Sequence, residues 1–372
     1  MGIIDFIKYK SMFGDSGNSD DADELVAKMA HLEPYALKSD IVTKVRDRAF
    51  YNNDLLTGVD FPNNEVVNNE AFSSCSNLTS VNIPKTRVIF GEAFTYCSKL
   101  TEMHLPNATS IDESAFKHCD ELTTIDFPEI KEISANCFSD CEKLQNVNIP
   151  NVQIIGNGAF VGCLSLTEIN IPKCTKIGQE AFYMTGLSGH IDLPNVTSIG
   201  CNPFRDTTIS SISIPSMQSI PSESLVSFLG SWKFESLQYI DAPNATSIGD
   251  YALVYTGLIS AVFPKVKTVG NAAFAGCASL TKLDFPVLES IGSQAFAGCG
   301  SLAALIIRTT STVCVASLDA FYQTPMLTGE GHIYVPASMY EYYRAGYENA
   351  LETGFFDILF RKIEDYPEIC GA

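Results

Sequence analysis

Apolar and polar residues alternate along this chain in short bursts, and almost every burst ends in proline. The run from Leu78 to Pro84, with Val81 and Ile83 apolar and Ser80 and Asn82 polar, is typical. Strict alternation over so few residues predicts a short β-strand with one buried face. Proline then removes a ladder donor and fixes φ, so the chain must turn there. Pro62, Pro84, Pro106, Pro128, Pro150, Pro172 and Pro194 follow one another at 22 residues, and Pro215, Pro243, Pro264 and Pro286 continue at 21, 28, 21 and 22. Arg308 takes the same place one repeat later.

Two further elements complete each repeat. A second extended piece follows the proline, as in Asn107 to Ile111 and Asn195 to Ile199, and often ends in glycine (Gly156, Gly178, Gly200, Gly249, Gly270, Gly292). The glycine is expected to supply a backbone angle that other residues resist. Then comes Ala-Phe-x-x-Cys, seen from Ala71 to Cys75, Ala93 to Cys97, Ala115 to Cys119, Ala159 to Cys163, Ala273 to Cys277 and Ala295 to Cys299. Its Phe is predicted to fill the middle of each coil, contributing roughly 2 to 3 kcal/mol by burial. No repeat can bury its apolar face alone, so stability has to come from neighbouring interfaces.

A fixed period of about 20 to 29 residues reads as a leucine-rich-repeat solenoid. The joint recurrence of the Ile-Pro strand end and the Ala-Phe-x-x-Cys turn, from about Ile41 to Arg308, resembles the BspA-like subclass of those repeats. The resemblance implies a mainly β solenoid with short helical or 3-10 turns. It implies a binding surface on bacterial surface proteins or on phage and prophage products, and no catalytic residues. About 12 repeats of 22 residues are expected, with helical caps at both ends.

Three regions follow from this. Residues 1–34 are expected to form N-terminal helices and a linker, 35–308 the solenoid, and 309–372 a capping region that covers the last rung. Met1 to Phe13 reads as a short amphipathic helix; it either lies over the first coil, is disordered, or docks on a partner subunit. After Ser301 the repeat dissolves, with a last anchor at Ala320-Phe321, a strand from His332 to Pro336 and a Tyr-rich helical stretch from Ala337 to Glu352. Covering that end matters, because an open β edge invites aggregation.

Charge and cysteine usage narrow the partners. Lys and Arg number 24 against 43 Asp and Glu, a net charge of −19, which argues against nucleic acid and anionic membrane. Seven of the 12 cysteines occupy one repeat position, where Thr185, Thr207, Thr256 and Thr324 stand in other repeats. A slot that accepts Cys or Thr wants a small side chain, so buried free thiols are the expectation; inter-rung disulfides or a metal are the alternatives. Asp5, Lys8 and Lys10 interrupt the apolar start, so neither a signal peptide nor a membrane span is recognised. A virion or cell surface is the expected location, or the cytoplasm if neither holds.

No enzymatic template is present: no phosphate-binding loop, dinucleotide fingerprint, nucleophile elbow or zincin motif occurs. The five histidines lie far apart in sequence, and no cofactor is implied. The systematic surface feature is the outward position just before each Ile-Pro, which contains Asn82, His104, Asp126, Asn148, Asn170 and Asp192 and continues through Asp241, Val262, Asp284 and Ile306. Equal positions on stacked parallel strands form a stripe, either a solvated face that satisfies its own hydrogen bonds or a track for a protein or glycan. The repeat between Pro215 and Pro243 is six residues longer than the usual 22 and includes the single tryptophan, Trp232. It serves as a local plug or as an aromatic contact. The function expected is non-catalytic recognition or adhesion; the alternative is a structural spacer whose solenoid face binds nothing.

Overall fold

The computed structural model describes residues 34–225, 236–316, 318–347, 357 and 359–371. The expected N-terminal helices and Trp232 lie outside the described residues. The chain divides into two compact units, residues 1–187 and 188–372. Each is a parallel β-solenoid built from repeats of about 22 residues, about twelve turns in all.

In the first unit the first strands stack in register, Gly58 opposite Ser80 and Asp60 opposite Asn82. Glu102 to His104, Thr124 to Asp126 and Asn146 to Asn148 do the same. A second ladder joins the two-residue strands after each proline turn, from Lys44–Val45 through Val66–Val67 and Val88–Ile89 to Ser110–Ile111. A third line of main-chain bonds runs through the Ala-Phe turns, where Phe72 N–H donates to Ala93 O and Phe94 N–H to Ala115 O, both at 2.8 Å. Three lines of main-chain bonds thus run along the coil, which is how a solenoid satisfies its backbone without long strands. The first strands nonetheless fall into separate sheets on either side of the step from Asn82 to Glu102, and the second strands on either side of the step from Ile111 to Glu132. The rung from Leu166 to Pro172 contains no strand, yet its Leu166 and Ile171 are buried like their counterparts.

The core is a column of rings. Phe50, Phe72, Phe94, Phe116, Phe138, Phe160 and Phe182 stack face to face, with centroids 5.1 to 5.4 Å apart. Such offset pairs contribute about 0.5 to 1.5 kcal/mol each beyond area burial. Beside them the cysteines are free and buried; the thiol of Cys97 donates to Phe72 O at 3.1 Å and that of Cys119 to Phe94 O at 3.2 Å. Burial pushes these thiols up, Cys75 to about 12, so they stay protonated and able to donate. Threonine in the same slot finds a carbonyl within its own rung instead, as Thr185 does at Phe182 O, 2.9 Å away.

The glycines that end the second strands act differently from the expectation. A Cβ on Gly156 would lie 2.7 Å from Ala135 N, and one on Gly178 2.6 Å from Asn157 N. Close approach to the preceding rung, not φ, excludes a side chain there. Left-handed angles fall two residues later, mostly on non-glycine residues such as Glu92 (φ 55°) and Ser114 (φ 58°). The Asn-rich proline turns also have a structural use: Asn107 Nδ2 donates to Pro84 O at 2.8 Å and Asn151 Nδ2 to Pro128 O at 2.7 Å.

The second unit repeats the plan less evenly. Ser188–Asp192, Thr208–Ser213, Tyr239–Asp241 and Ser260–Val262 form one sheet; Lys282–Phe285, Ala304–Ile307, His332–Val335 and Phe360–Lys362 form another. The ring slot holds Leu225 and Leu253 before Phe274, Phe296 and Phe321 resume the stack. At the end, a helix over Ala337–Tyr347 places Tyr343 5.6 Å from Phe360. Tyr343 Oη accepts from Cys314 N–H at 2.9 Å, and Tyr347 Oη accepts from Ala316 N–H at 2.6 Å while donating to Cys314 O at 2.9 Å. The two phenols thereby satisfy backbone groups around the last short strand of this ladder among the described residues, Val315–Ala316.

Candidate functional site

The outward column of the first strands is where the sequence places a site. In the first unit it is a polar surface with its own hydrogen bonds. Asn82 Nδ2 donates to Asp60 Oδ1 at 2.7 Å, and Asp60 Oδ2 also lies 2.8 Å from Lys38 Nζ. Those two partners, Lys38 first, hold the Asp60 carboxyl below the usual carboxylate range. Asn148 Nδ2 donates to Asp126 Oδ1 at 2.6 Å, and His104 Nδ1 lies 3.8 Å from Asp126 Oδ2. His104, Asp126 and Asn148 thus form one cluster across three rungs, with side chains of His104 and Asp126 that are 52% and 38% exposed.

Neighbouring columns add to the polarity. Asn146 Nδ2 reaches Thr124 Oγ1 at 3.3 Å, and the Thr79 and Thr123 hydroxyls donate to Thr57 O and Thr101 O, both at 3.0 Å. Asn170 is exposed on the rung that lacks a strand, so register does not extend the cluster to it. Asp192 belongs to the second unit, exposed and in register with Ser213 and, one strand on, Asp241. A second exposed line follows the Ala-Phe turns, where Tyr96, 51% exposed, stacks on His118 at 4.6 Å. Its spacing of 22 residues was visible in the sequence, but nothing there marks which turn positions face outward.

The second unit uses the same column differently. Val262 is exposed, while Asp284 receives three bonds from Arg308, from Nε to Oδ1 at 2.9 Å and to Oδ2 at 3.1 Å and from Nη2 to Oδ2 at 2.7 Å. Ile306 and Tyr334, outward on the next rungs, are 0% and 2% exposed. They are covered by Ile363, Tyr366 and Ile369 near the C-terminus. An isoleucine at an outward position was the sequence signal that something lies over this part of the face.

This surface of amides, carboxylates and hydroxyls can bind by multiple weak hydrogen bonds over an extended area. Among the described residues no cluster of histidine, cysteine and acids is placed to hold a metal, and no helix is long and apolar enough to cross a membrane.

The comparisons agree with the repeat anatomy. A leucine-rich-repeat protein from Bacteroides ovatus ATCC 8483 has a similar fold, with a TM-score of 0.67 and 24% identity over 88% of this chain and 83% of that one. A leucine rich cell surface protein from Faecalibacterium prausnitzii A2-165 matches at 24% identity over 78% of this chain and 86% of that one, with a TM-score of 0.42. At 24% identity the likeness to the Bacteroides ovatus protein shows the fold alone. Among curated proteins nothing matches. The family model of the BspA type leucine rich repeat region matches in 6 copies, over residues 30–136, 109–228 and 246–329. With the Ile-Pro ladder and the Phe-Cys core recurring through those same residues, the chain belongs to the BspA type leucine-rich-repeat family.

Proposed function

We propose that this chain is a non-catalytic recognition protein whose strand face engages a protein or a surface glycan, as a bacterial surface protein or a phage or prophage virion component. The observation that supports this is the exposed cluster of His104, Asp126 and Asn148, in which Asn148 bonds Asp126 across rungs and His104 lies beside them. Side chains already fixed by a partner lose little entropy when a ligand arrives. The acidic balance of the chain disfavours nucleic acid. Trp232, in the long repeat, is a second candidate contact, and residues 1–34 are the candidate attachment to a partner subunit. The other reading, a spacer with an inert face, predicts that the termini alone matter.

Screening the full chain on a glycan array and on intact bacterial and epithelial cells tests both. Replacing Asp126, Asn148 and Asn170 together with Ala should leave the melting temperature nearly unchanged and reduce binding. Deleting residues 1–20 should leave that binding intact. Binding that survives the triple substitution but is lost on the deletion would favour the spacer.

A further inference from the structure

The C-terminal part of the second unit does two separate things. Phe360–Lys362 adds a parallel strand to His332–Val335, and the Ala337–Tyr347 helix packs on it. After Lys362 the chain lies over the outward face of Ala304–Ile307 and His332–Val335. Ile363, Tyr366 and Ile369 pack against Ala304, Ile306 and Tyr334, with Tyr366 meeting Tyr334 edge-on at 5.5 Å. Cys370 is buried in the same cluster.

The grip has the character of peptide recognition. Lys282 Nζ donates to Ile369 O, and Arg308 Nη2 donates to Cys370 O. Both cations hold main-chain carbonyls, which any peptide offers, while apolar contacts select the side chains. The lying segment is acidic, with Glu364, Asp365 and Glu368. The cations that bond its carbonyls are Lys282 and Arg308, the latter also paired with Asp284, while Glu364 accepts from Ala337 N–H at 2.9 Å. Tyr366 and Ile369 are only half-buried, so the segment is held far less firmly than a core strand.

We propose that Ile363–Gly371 is a displaceable occupant of a peptide site on the strand face of the second unit. Vacated, the site takes an acidic partner segment bearing aromatic and aliphatic side chains. Where the first unit has the open, polar Asn82 and His104, the last rungs of this column have Ile306 and Tyr334, and both are covered. This does not rest on the polar cluster of the first unit, and neither reading fails with the other.

The test uses a fluorescent peptide spanning residues 363–372 and the full chain, alone and with Tyr366→Ala plus Ile369→Ala to loosen the resident segment. The loosened chain should bind the peptide about tenfold more tightly than the parent, because the competing occupant is gone more of the time. A scrambled peptide should not bind, and adding Arg308→Met should reduce the gain. Equal binding by parent and variant, or by the scrambled peptide, overturns the proposal. Thiol labelling of the unaltered chain gives a reading that needs no variant. Displacement predicts that Cys370 is modified about tenfold faster than the core cysteines Cys119 and Cys163; equal protection would mean the segment never leaves, and the proposal fails.

Discussion

Between Phe50 and Phe182 every rung of the first unit puts a phenylalanine in the same slot, whereas the second unit has leucine at 225 and 253 before the rings resume. The outer surfaces differ in parallel. The first unit leaves its strand face open and polar; the second covers the rungs at Ile306 and Tyr334 with the chain's own end. Repetition builds the core, and departures from repetition mark where the protein does something particular with its surface. A regular rung has its partner above and below supplied by the period, so nothing else needs to contact it. An irregular rung needs a separate element, and that element brings side chains from far along the sequence.

The largest effect that tests the comparison is Phe116→Ala. It opens a cavity between two stacked rings and should cost about 3 to 5 kcal/mol in denaturant unfolding. A loss below half a kcal/mol would mean the rings are not interior. Phe116→Leu imports the second unit's choice into the first. It removes two stacking contacts at about 0.5 to 1.5 kcal/mol each, so a cost of about 1 to 3 kcal/mol is expected. No measurable change would show that the leucines of the second unit sacrifice nothing. Gly156→Ala should cost about 1 to 3 kcal/mol, because its Cβ meets backbone that cannot yield; a neutral result would return the glycine to a purely conformational role.

Smaller effects sharpen the picture. Cys119→Thr exchanges the two side chains that share one slot and should cost about 1 kcal/mol or less, since threonine can donate within its own rung as Thr185 does. A cooperative loss several times larger would show that the thiols are specifically required. At the surface, Lys38 holds the Asp60 carboxyl below its ordinary value. A depressed carboxyl adds stability at pH above its unfolded value of about 3.9, and that stability is lost as pH falls through the folded value. Lys38→Met should therefore move the Asp60 titration seen by NMR back up toward the ordinary range. An unmoved titration would mean the pair does not form in solution.

Most of the core was legible in the sequence. Phe94, Cys97, Ile83 and Ile89 are buried as their repeat position predicts, because a side chain that recurs every rung can only face its own copies. The Cys-or-Thr slot was legible for the same reason. The glycine at 156 was misread, since one rung viewed alone shows a dihedral and the crowding comes from the rung before it. The strand missing from Leu166 to Pro172 was not legible either: its residues match the pattern, and nothing in the structure explains why the ladder stops there.

At the candidate site, the column itself could be derived from alternation and period, while its condition could not. His104, Asp126 and Asn148 come together because parallel register places residues 22 apart side by side. That Asp60 is taken up by Lys38, or Asp284 by Arg308, depends on rotamers and on residues outside the column.

From the amino-acid order alone came the period, the buried ring and thiol columns, and the existence of a broad outward stripe, since these depend only on what repeats. Tertiary structure decided what closes each irregular place: two tyrosine hydroxyls on the backbone of the last short strand, and an acidic segment laid over Ile306 and Tyr334. Those contacts join residues that share no period, and only the folded path of the chain brings them within reach.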